Sequence, residues 1–265
     1  MDGRGTRVRP MDARYHDQVF AQIGVRIRTC LARGIKVRAV ELQVIAGGGI
    51  ATPLKEIAAH FAGTTGHKPV IRYGTTPELI KMATSTPFDL GVVPQDVMKN
   101  AAARAHFAPG PALDVARVGI GVAVRAGSPK PDISTAEALK QTLIEAQSIA
   151  SIPASATGTQ LSGIYERLGI AATMAVKTKA QPGPAQIIEA VVNGDADLAV
   201  FLLNVITDPR LDVIGPLPRA IQREVVYVSA VAASGKEPNA AKDFITYLIS
   251  PAAAAVIKAK GMNPG

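Results

Sequence analysis

The sequence predicts an α/β fold with mixed, mostly parallel sheets and helices on both sheet faces. Three observations support this prediction. Short apolar runs alternate with amphipathic segments along most of the chain. The junctions between a run and the next segment carry Gly, Thr or Ser, which suit tight loops and helix starts. The chain has 265 residues, 48% of them hydrophobic, which is enough for one large domain or two smaller lobes.

The first strand–loop–helix junction contains three consecutive glycines, Gly47–Gly49. An apolar run precedes them, and apolar residues recur at helical spacing over 54–61. Thr52 stands where a helix N-cap belongs, and Pro53 suits the first helical turn. Glycines before a helix let backbone N–H groups approach a ligand, and the positive end of the helix dipole favours an anion.

The second junction has the same character. A strand ending at Gly74 leads into Thr75-Thr76-Pro77-Glu78, which supplies a cap, a proline for the first turn and an acid near the helix start. A third such loop, Ser155–Thr159, follows an apolar run and enters another amphipathic segment. These loops carry no histidine or catalytic-looking acid, so we expect them to hold an anion through backbone amides and hydroxyls.

The rest of the chain continues the alternation. We expect strands at 89–94, 117–124, 148–153, 175–181, 198–203, 211–214 and 225–233. We expect helices at 137–146, 161–168, 187–192, 240–248 and 251–260, with Gly169 and Gly194 ending two of them. Because strands and helices alternate in this way, we expect the ligand to bind at the carboxyl ends of the strands.

Composition excludes several classes of site. The single cysteine, Cys30, rules out an internal disulfide and a cysteine-based zinc site. The four histidines show no metal-ligand spacing, and no cofactor motif is present. We therefore expect no metal, no cofactor and no catalytic residue. No apolar run approaches the roughly 20 residues needed to span a membrane, so we expect a chain that does not span one.

The formal charge of +8 is concentrated at the start of the chain. Residues 1–42 carry a net +5 and the remainder only +3. Aromatic RNA-binding patterns and Cys/His fingers are missing, so no nucleic-acid partner is predicted. We expect residues 1–41 to form a basic, poorly ordered extension. It shows no apolar core or cleavage site of a secretory signal.

Several stretches, in order over some 220 residues, resemble periplasmic solute-binding proteins of the molybdate-binding type, components of ABC importers. The matching stretches are Leu54-Lys55-Glu56-Ile57, Gly74-Thr75-Thr76-Pro77 with Leu79, Pro87-Phe88-Asp89-Leu90, Gly158 with Leu168-Gly169, Val192-Asn193-Gly194-Asp195-Ala196-Asp197, Ala241-Lys242-Asp243-Phe244, and Leu248-Ile249-Ser250-Pro251 with Gly261. The resemblance implies the type II periplasmic binding-protein fold, in which two Rossmann-like lobes hold a ligand between them.

Carried over, the resemblance places lobe 1 at 42–121 plus 226–265 and lobe 2 at 122–225. The two crossover segments would fall near 120–125 and 225–230. It also implies a monomer that binds a small anion, works with an ABC permease and resides in the periplasm. Because the chain shows no export signal, a cytoplasmic location is the alternative.

The family's ligand contacts map onto Gly49, Thr75 or Thr76, Thr157 and Leu202. Their neighbours Gly48, Ser155 and Gly158 complete the expected set, with Arg117 as a charge partner and Arg72 and Arg125 as other candidates. Two positions depart from the family pattern. Gly49 replaces a serine and Leu202 replaces a tyrosine, so two hydroxyl donors are missing. A carboxylate or other small organic anion therefore stands beside molybdate as the expected ligand.

Two other functions remain open. The same fold is also used by aconitate isomerase, so the chain could be an isomerase acting on a small polycarboxylate. That chemistry needs a general base, for which Glu78, Asp89 and Asp96 are the acids nearest loop ends. An intracellular anion sensor that acts on a partner protein is the third function.

Overall fold

The computed structural model describes residues 38–265. Most of the predicted basic extension, with Cys30, lies outside the described residues. The strands are β1 (Glu41–Gly47), β2 (Lys68–Gly74), β3 (Leu90–Pro94), β4 (Leu113–Arg125), β5 (Ile149–Ser151), β6 (Thr178–Ala180), β7 (Leu198–Leu202), β8 (Leu211–Pro216), β9 (Glu224–Val231) and β10 (Asn263–Pro264).

Ten helices accompany these strands in the described part of the chain. They are α1 (Ala51–Thr65), α2 (Thr76–Ser85), α3 (Gln95–Lys99), α4 (Ala101–Arg104), α5 (Ala136–Glu145), α6 (Ala156–Leu168), α7 (Ala171–Lys177), α8 (Pro184–Val192), α9 (Pro238–Leu248) and α10 (Pro251–Ala259). A short 3-10 turn, Gly48–Ile50, joins β1 to α1. The predicted α/β class is confirmed.

The strands form one mixed sheet in the order β2-β1-β3-β9-β4-β7-β5-β6, with β8 and β10 also paired to β4. The outer halves are parallel, since β1 runs parallel to β2 and β3, and β5 runs parallel to β6 and β7. The centre is antiparallel, because β9 and β4 run against their neighbours. We call the part of the molecule around β1, β2 and β3 the first half and the part around β5, β6 and β7 the second half. These two α/β halves correspond to the two lobes expected for this fold.

The long strand β4 belongs to both halves. Its residues 113–119 pair with β9, and residues 120–125 pair with β7 and β8. The chain passes from β8 in the second half back to β9 through residues 217–223. This connection comes earlier in the chain than the second crossover expected at 225–230. The lobe boundaries themselves stay a prediction.

Apolar side chains pack on both sides of this sheet. The largest buried cluster contains Phe61 and Phe244 from the first half, whose ring centroids lie 4.8 Å apart, and Ile152 and Phe201 from the second. A second buried cluster, which includes Leu139 and Leu143, belongs to the second half alone. The apolar packing is therefore continuous across the two halves.

Some local predictions were wrong. Helix α1 begins at Ala51 with Ile50 at the N-cap, so Thr52 lies inside the helix rather than capping it. The expected strand at 175–181 starts as the last turn of α7, and only Thr178–Ala180 is extended. The short helices α3 and α4 were not predicted, because each is too short to show a period.

Among residues 38–265, no single helix is long and apolar enough to cross a membrane. The pair α9 and α10 meets that length and composition only when its two helices, bent by 59°, are combined. Within the same residues, no group of three or more His, Cys, Asp or Glu side chains could hold a metal ion.

Candidate functional site

A pocket of about 300 Å³ lies between the two halves, where the loops after the strands converge. Parallel pairing explains the convergence, because Gly47 at the end of β1 is in register with Gly74 at the end of β2. The pocket is lined by Gly47, Gly48, Gly49, Tyr73, Gly74, Thr75, Thr76, Glu78, Pro94, Ile152, Ser155, Ala156, Thr157, Pro182, Gly183, Pro184, Phe201, Leu202 and Tyr227.

The glycine loop after β1 forms one wall. It makes a 3-10 turn and passes into α1, whose first turn receives no side-chain cap. The side chain of Asn204, which follows β7, donates a 2.8 Å hydrogen bond from Nδ2 to the carbonyl oxygen of Gly49. Asn204 therefore ties the glycine loop to the second half of the molecule.

Gly49 cannot be replaced by a larger residue without a change in its surroundings. A Cβ atom there would lie 2.3 Å from Oη of Tyr227 and 2.4 Å from Cδ1 of Leu202. Both distances are far below van der Waals contact. The two departures from the family pattern are thus coupled, because Leu202 and Tyr227 occupy the space that a serine side chain at position 49 would need.

Tyr227 brings a hydroxyl that sequence reasoning missed. It lies on β9, opposite Pro94 of β3, and its side chain is only 2% exposed. Its hydroxyl makes no hydrogen bond to another described residue, and burial raises the pKa of this phenol well above its usual value. Tyr227 is therefore a neutral donor at the back of the pocket.

Two more hydroxyls in the wall are unsatisfied. Oη of Tyr73 and Oγ1 of Thr76 are both shielded from solvent and make no hydrogen bond. Burial raises the pKa of Tyr73 to about 12, so this group is also neutral at pH 7. Buried polar groups without partners are uncommon and unfavourable. Tyr73 and Thr76 therefore carry unused hydrogen-bond donors in the wall of the pocket.

Helix α2 begins in the pocket with a partial capping box. The carboxylate of Glu78 accepts hydrogen bonds from the backbone N–H and the hydroxyl of Thr75, at 2.7 and 2.8 Å. The backbone bond first, and the hydroxyl second, lower the pKa of Glu78. Glu78 is thus a stabilised carboxylate at the start of α2.

Helix α6 also begins in the pocket. Oγ of Ser155 accepts from the backbone N–H of Gly158 at 3.1 Å, as an N-cap residue does. Thr157, in the first turn, is only 2% exposed. The sequence had predicted both residues in the site.

The start of helix α8 is a part of the wall that sequence reasoning missed. Gly183 is its N-cap residue and Pro184 its first residue, and no side chain caps it. A Gly-Pro pair just ahead of an apolar segment is typical of a helix start, so the sequence contains a signal for this part of the wall. The signal was missed because Gly183 and Pro184 have no hydroxyl group, which was the feature used to select the other loops.

Together, the 3-10 turn that leads into α1 and the starts of α2, α6 and α8 meet at one pocket. Each contributes partial positive charge from its free N–H groups. Among the described lining residues the only charged side chain is Glu78. A cation lies nearby, because Nζ of Lys55 sits 5.7 Å from the centroid of the Tyr73 ring.

The structure brings together seven of the nine ligand-binding residues expected from the sequence, namely Gly48, Gly49, Thr75, Thr76, Ser155, Thr157 and Leu202. The other two expected residues lie outside this pocket. Arg117 lies outside this pocket and pairs with Asp114 on the same strand, where an irregular register between Asp114 and Ala116 interrupts the alternation of side chains. Gly158 does not line it either; its N–H donates to Oγ of Ser155, and a Cβ atom there would collide with the carbonyl oxygen of Pro153.

The other charged candidates are also accounted for. Nη2 of Arg72 donates to the carbonyl oxygen of Pro87 at 2.7 Å, and Arg125 lies on the surface of the second half. The buried carboxylate of Asp89 accepts from backbone N–H groups at 43, 236 and 237, and Asp96 pairs with Lys99. None of these four lines the pocket, so Glu78 alone among the three predicted acids faces it.

A family model described as bacterial extracellular solute-binding protein matches residues 42–263. The chain belongs to this family. Two named relatives are similar to it over most of their length. Aconitate isomerase from a Pseudomonas species is 33% identical over 232 residues, covering 84% of this chain and 87% of that protein. Molybdate-binding protein ModA of Azotobacter vinelandii is 28% identical over 254 residues, covering 92% and 96%.

The fold of this family member is also that of solved binding proteins. The structure of the periplasmic molybdate-binding protein of Azotobacter vinelandii superposes with a TM-score of 0.67 at 21% identity, covering 84% of this chain and 99% of that one. This likeness confirms the type II periplasmic binding-protein fold expected from the sequence.

Proposed function

We propose that this protein captures a small organic carboxylate in the pocket between its halves and delivers it to an ABC importer. One observation carries the proposal: four helix starts converge on a pocket of about 300 Å³, and those of α1 and α8 have no capping side chain. At α1 the N–H of Ala51 already bonds the carbonyl oxygen of Gly48, so the N–H groups that need an acceptor are those of the 3-10 turn Gly48–Ile50 and of the first turn of α8. An anion provides acceptors of the charge that helix dipoles favour.

The lining favours a carboxylate over a tetrahedral oxyanion. The serine and tyrosine hydroxyls that the resemblance assigns to molybdate binders are replaced by Gly49 and Leu202. Apolar atoms of Ile152, Phe201 and Leu202 make part of the wall, and these suit the carbon skeleton of an organic ligand. The remaining donors, Tyr73, Thr76 and Tyr227, are neutral hydroxyls that can each bond a carboxylate oxygen.

A thermal-shift screen tests the ligand class. The purified protein is heated with molybdate, tungstate, sulfate, succinate, citrate or aconitate, each at the same ionic strength. A ligand present at 100 times its Kd adds about 2.7 kcal/mol to the free energy of unfolding. We expect one of the carboxylates to raise Tm and the three inorganic anions to leave it unchanged. A larger shift with molybdate or tungstate would overturn the carboxylate proposal.

Delivery to an importer requires that the protein meet a permease. We infer that the halves close on the ligand about β4 and the 217–223 connection. Small-angle scattering with and without the ligand found in the screen measures this closure as a decrease in radius of gyration. Fractionation of the native host tests location, and finding the protein only in the cytoplasm contradicts a transport role.

An isomerase is the second candidate, because Glu78 faces the pocket and a relative 33% identical is named aconitate isomerase. Shifting a double bond requires a base that takes a proton from carbon and returns one elsewhere. The hydrogen bonds from Thr75 make Glu78 a weak base, since they lower its pKa. This favours binding over catalysis.

Proton NMR of cis- or trans-aconitate incubated with the protein separates the two functions. We expect no interconversion beyond that in buffer. Turnover by the wild type that is lost in Glu78→Gln, with ligand binding retained, would establish the isomerase instead.

A further inference from the structure

A second groove, of about 380 Å³, lies in the second half of the molecule beside α6, α7 and the end of β5. Its lining is largely apolar, with Pro153, Leu161, Ala171 and Met174 among its residues. It shares no lining residue with the pocket between the halves. The same helix, α6, nevertheless serves both, with its first turn in the pocket and Leu161 in the groove.

Two buried hydroxyls make this groove more than an apolar crevice. Ser151 is 2% exposed and Tyr165 is 8% exposed, and both line the groove. Neither Oγ of Ser151 nor Oη of Tyr165 makes a hydrogen bond. Burial also raises the pKa of Tyr165, so its hydroxyl is neutral. Most buried hydroxyls in proteins are bonded, and two unbonded ones in one groove call for an acceptor.

The chemistry of the groove defines its ligand. No Lys, Arg, Asp or Glu is among its described lining residues, so an ion would find no oppositely charged side chain there. Apolar walls take a hydrocarbon body, and two hydroxyl donors can share one carbonyl oxygen with its two lone pairs. We propose that this groove is a second binding site, for a small neutral molecule with an apolar body and a carbonyl oxygen held by Ser151 and Tyr165.

Methionine methyl NMR provides the test, with cyclohexanone as the probe. The chain has six methionines, and in full-length protein labelled at the methyl carbon Met174 reports on the groove. Met82 reports on the main pocket, because its Cε lies 3.3 Å from where a Cβ on Gly74 would stand. We expect a saturable shift of the Met174 signal and an unchanged Met82 signal.

Two variants remove the donors singly. Ser151→Ala and Tyr165→Phe each delete a hydroxyl that bonds nothing, so both are expected to fold and to keep their Tm. Each is expected to weaken cyclohexanone binding at least threefold. Tyr247→Phe, a tyrosine packed against Phe61 in the first half, is the matched control and should bind like the wild type.

Ala171→Phe is a third variant, because Ala171 is exposed at the groove and a large ring there would block it. Blocking should abolish the Met174 shift. The proposal is overturned if Met174 does not respond, if Met82 responds in its place, or if Ser151→Ala and Tyr165→Phe both bind as tightly as the wild type.

Discussion

Four helices start at the main pocket, but they start in two different ways. At α2 and α6 the chain supplies its own partners, because Glu78 accepts from Thr75 and Ser155 accepts from Gly158. At α1 and α8 no side chain accepts from the first turn. The N–H of Ala51 at the start of α1 bonds the carbonyl oxygen of Gly48, so the N–H groups that depend on solvent or a ligand are those of the 3-10 turn Gly48–Ile50 and of the first turn of α8.

We expect the difference to separate residues that stabilise the fold from residues that bind the ligand. Changes at the self-capped starts should lower the free energy of unfolding. Changes at the uncapped starts, and at the unbonded hydroxyls beside them, should lower ligand affinity with little change in stability. Affinity is measured with the carboxylate identified by thermal shift, and stability by unfolding in urea.

The largest effect is expected at Gly49. In Gly49→Ser, the new side chain would meet Oη of Tyr227 and Cδ1 of Leu202, at 2.3 and 2.4 Å from its Cβ. Overpacking of this kind costs about 1–3 kcal/mol, and the displaced tyrosine would also leave the pocket, so binding should be abolished. Calorimetric titration and urea unfolding measure the two losses.

Gly48→Ser is the matched control for that variant. A Cβ at position 48 would lie 3.7 and 3.8 Å from its nearest foreign atoms, both in Pro184, which is an ordinary contact distance. Gly48→Ser should therefore have the same urea midpoint of unfolding as the wild type. If Gly49→Ser is as stable as Gly48→Ser and binds ligand, then crowding by Tyr227 and Leu202 does not explain the glycine.

The next effect concerns the self-capped start of α6. Ser155→Ala removes the hydroxyl that accepts from the N–H of Gly158. Loss of an N-cap costs about 1 kcal/mol, which should shift the urea midpoint to lower concentration. Ser155→Asp restores an acceptor and should recover the stability. Equal stability of the wild type and Ser155→Ala would contradict the division into two kinds of helix start.

A smaller effect, on affinity alone, is expected at Thr76. Its Oγ1 is buried and bonds nothing, so Thr76→Val should leave Tm unchanged or raise it. If that hydroxyl donates to the ligand, the Kd should increase about 5- to 10-fold, as loss of one hydrogen bond implies.

Thr84→Val is the matched control at the other end of α2. Its hydroxyl bonds the carbonyl oxygens of Ile80 and Lys81 and is exposed. It should not change the Kd. An unchanged Kd in Thr76→Val would remove Thr76 from the site.

Much of the site could be predicted because it consists of short patterns at strand ends. Gly49, Thr75 and Thr157 are readable as loop or helix-start residues, and parallel strands place their carboxyl-end loops at one edge. The fold class followed from the same alternation of strands and helices. The local sequence pattern was therefore enough to predict the pocket residues that lie in a loop or at a helix start.

The missed residues depend on tertiary pairing. Tyr227 enters the pocket because β9 runs antiparallel to β3 and sets it opposite Pro94, a register that no local pattern reveals. Arg117 was expected to neutralise an anion, but its partner is Asp114, three residues away. The partial positive charge of the pocket instead comes from helix starts, whose partial charges are not visible as charged residues.

The smallest effect concerns Glu78 and pH. Its pKa is lowered below the ordinary 4.5 by the backbone N–H and then the hydroxyl of Thr75. Since the folded state holds the ionised form, this carboxylate stabilises the fold above about pH 4.5 and loses that contribution as pH falls through the lowered pKa. Because the group is largely exposed, Glu78→Gln should cost only about 0.5 kcal/mol at pH 7.

Urea unfolding of the wild type and Glu78→Gln from pH 7 to pH 3 should therefore give curves that converge below pH 4.5. Affinity should change in the opposite direction at pH 7, because Glu78 places a negative charge beside a site for an anion. Glu78→Gln should bind the carboxylate more tightly, and the gain should diminish as salt is added. Weaker binding in this variant would mean that Glu78 accepts a hydrogen bond from the ligand, and the self-capped start of α2 would then belong with α1 and α8.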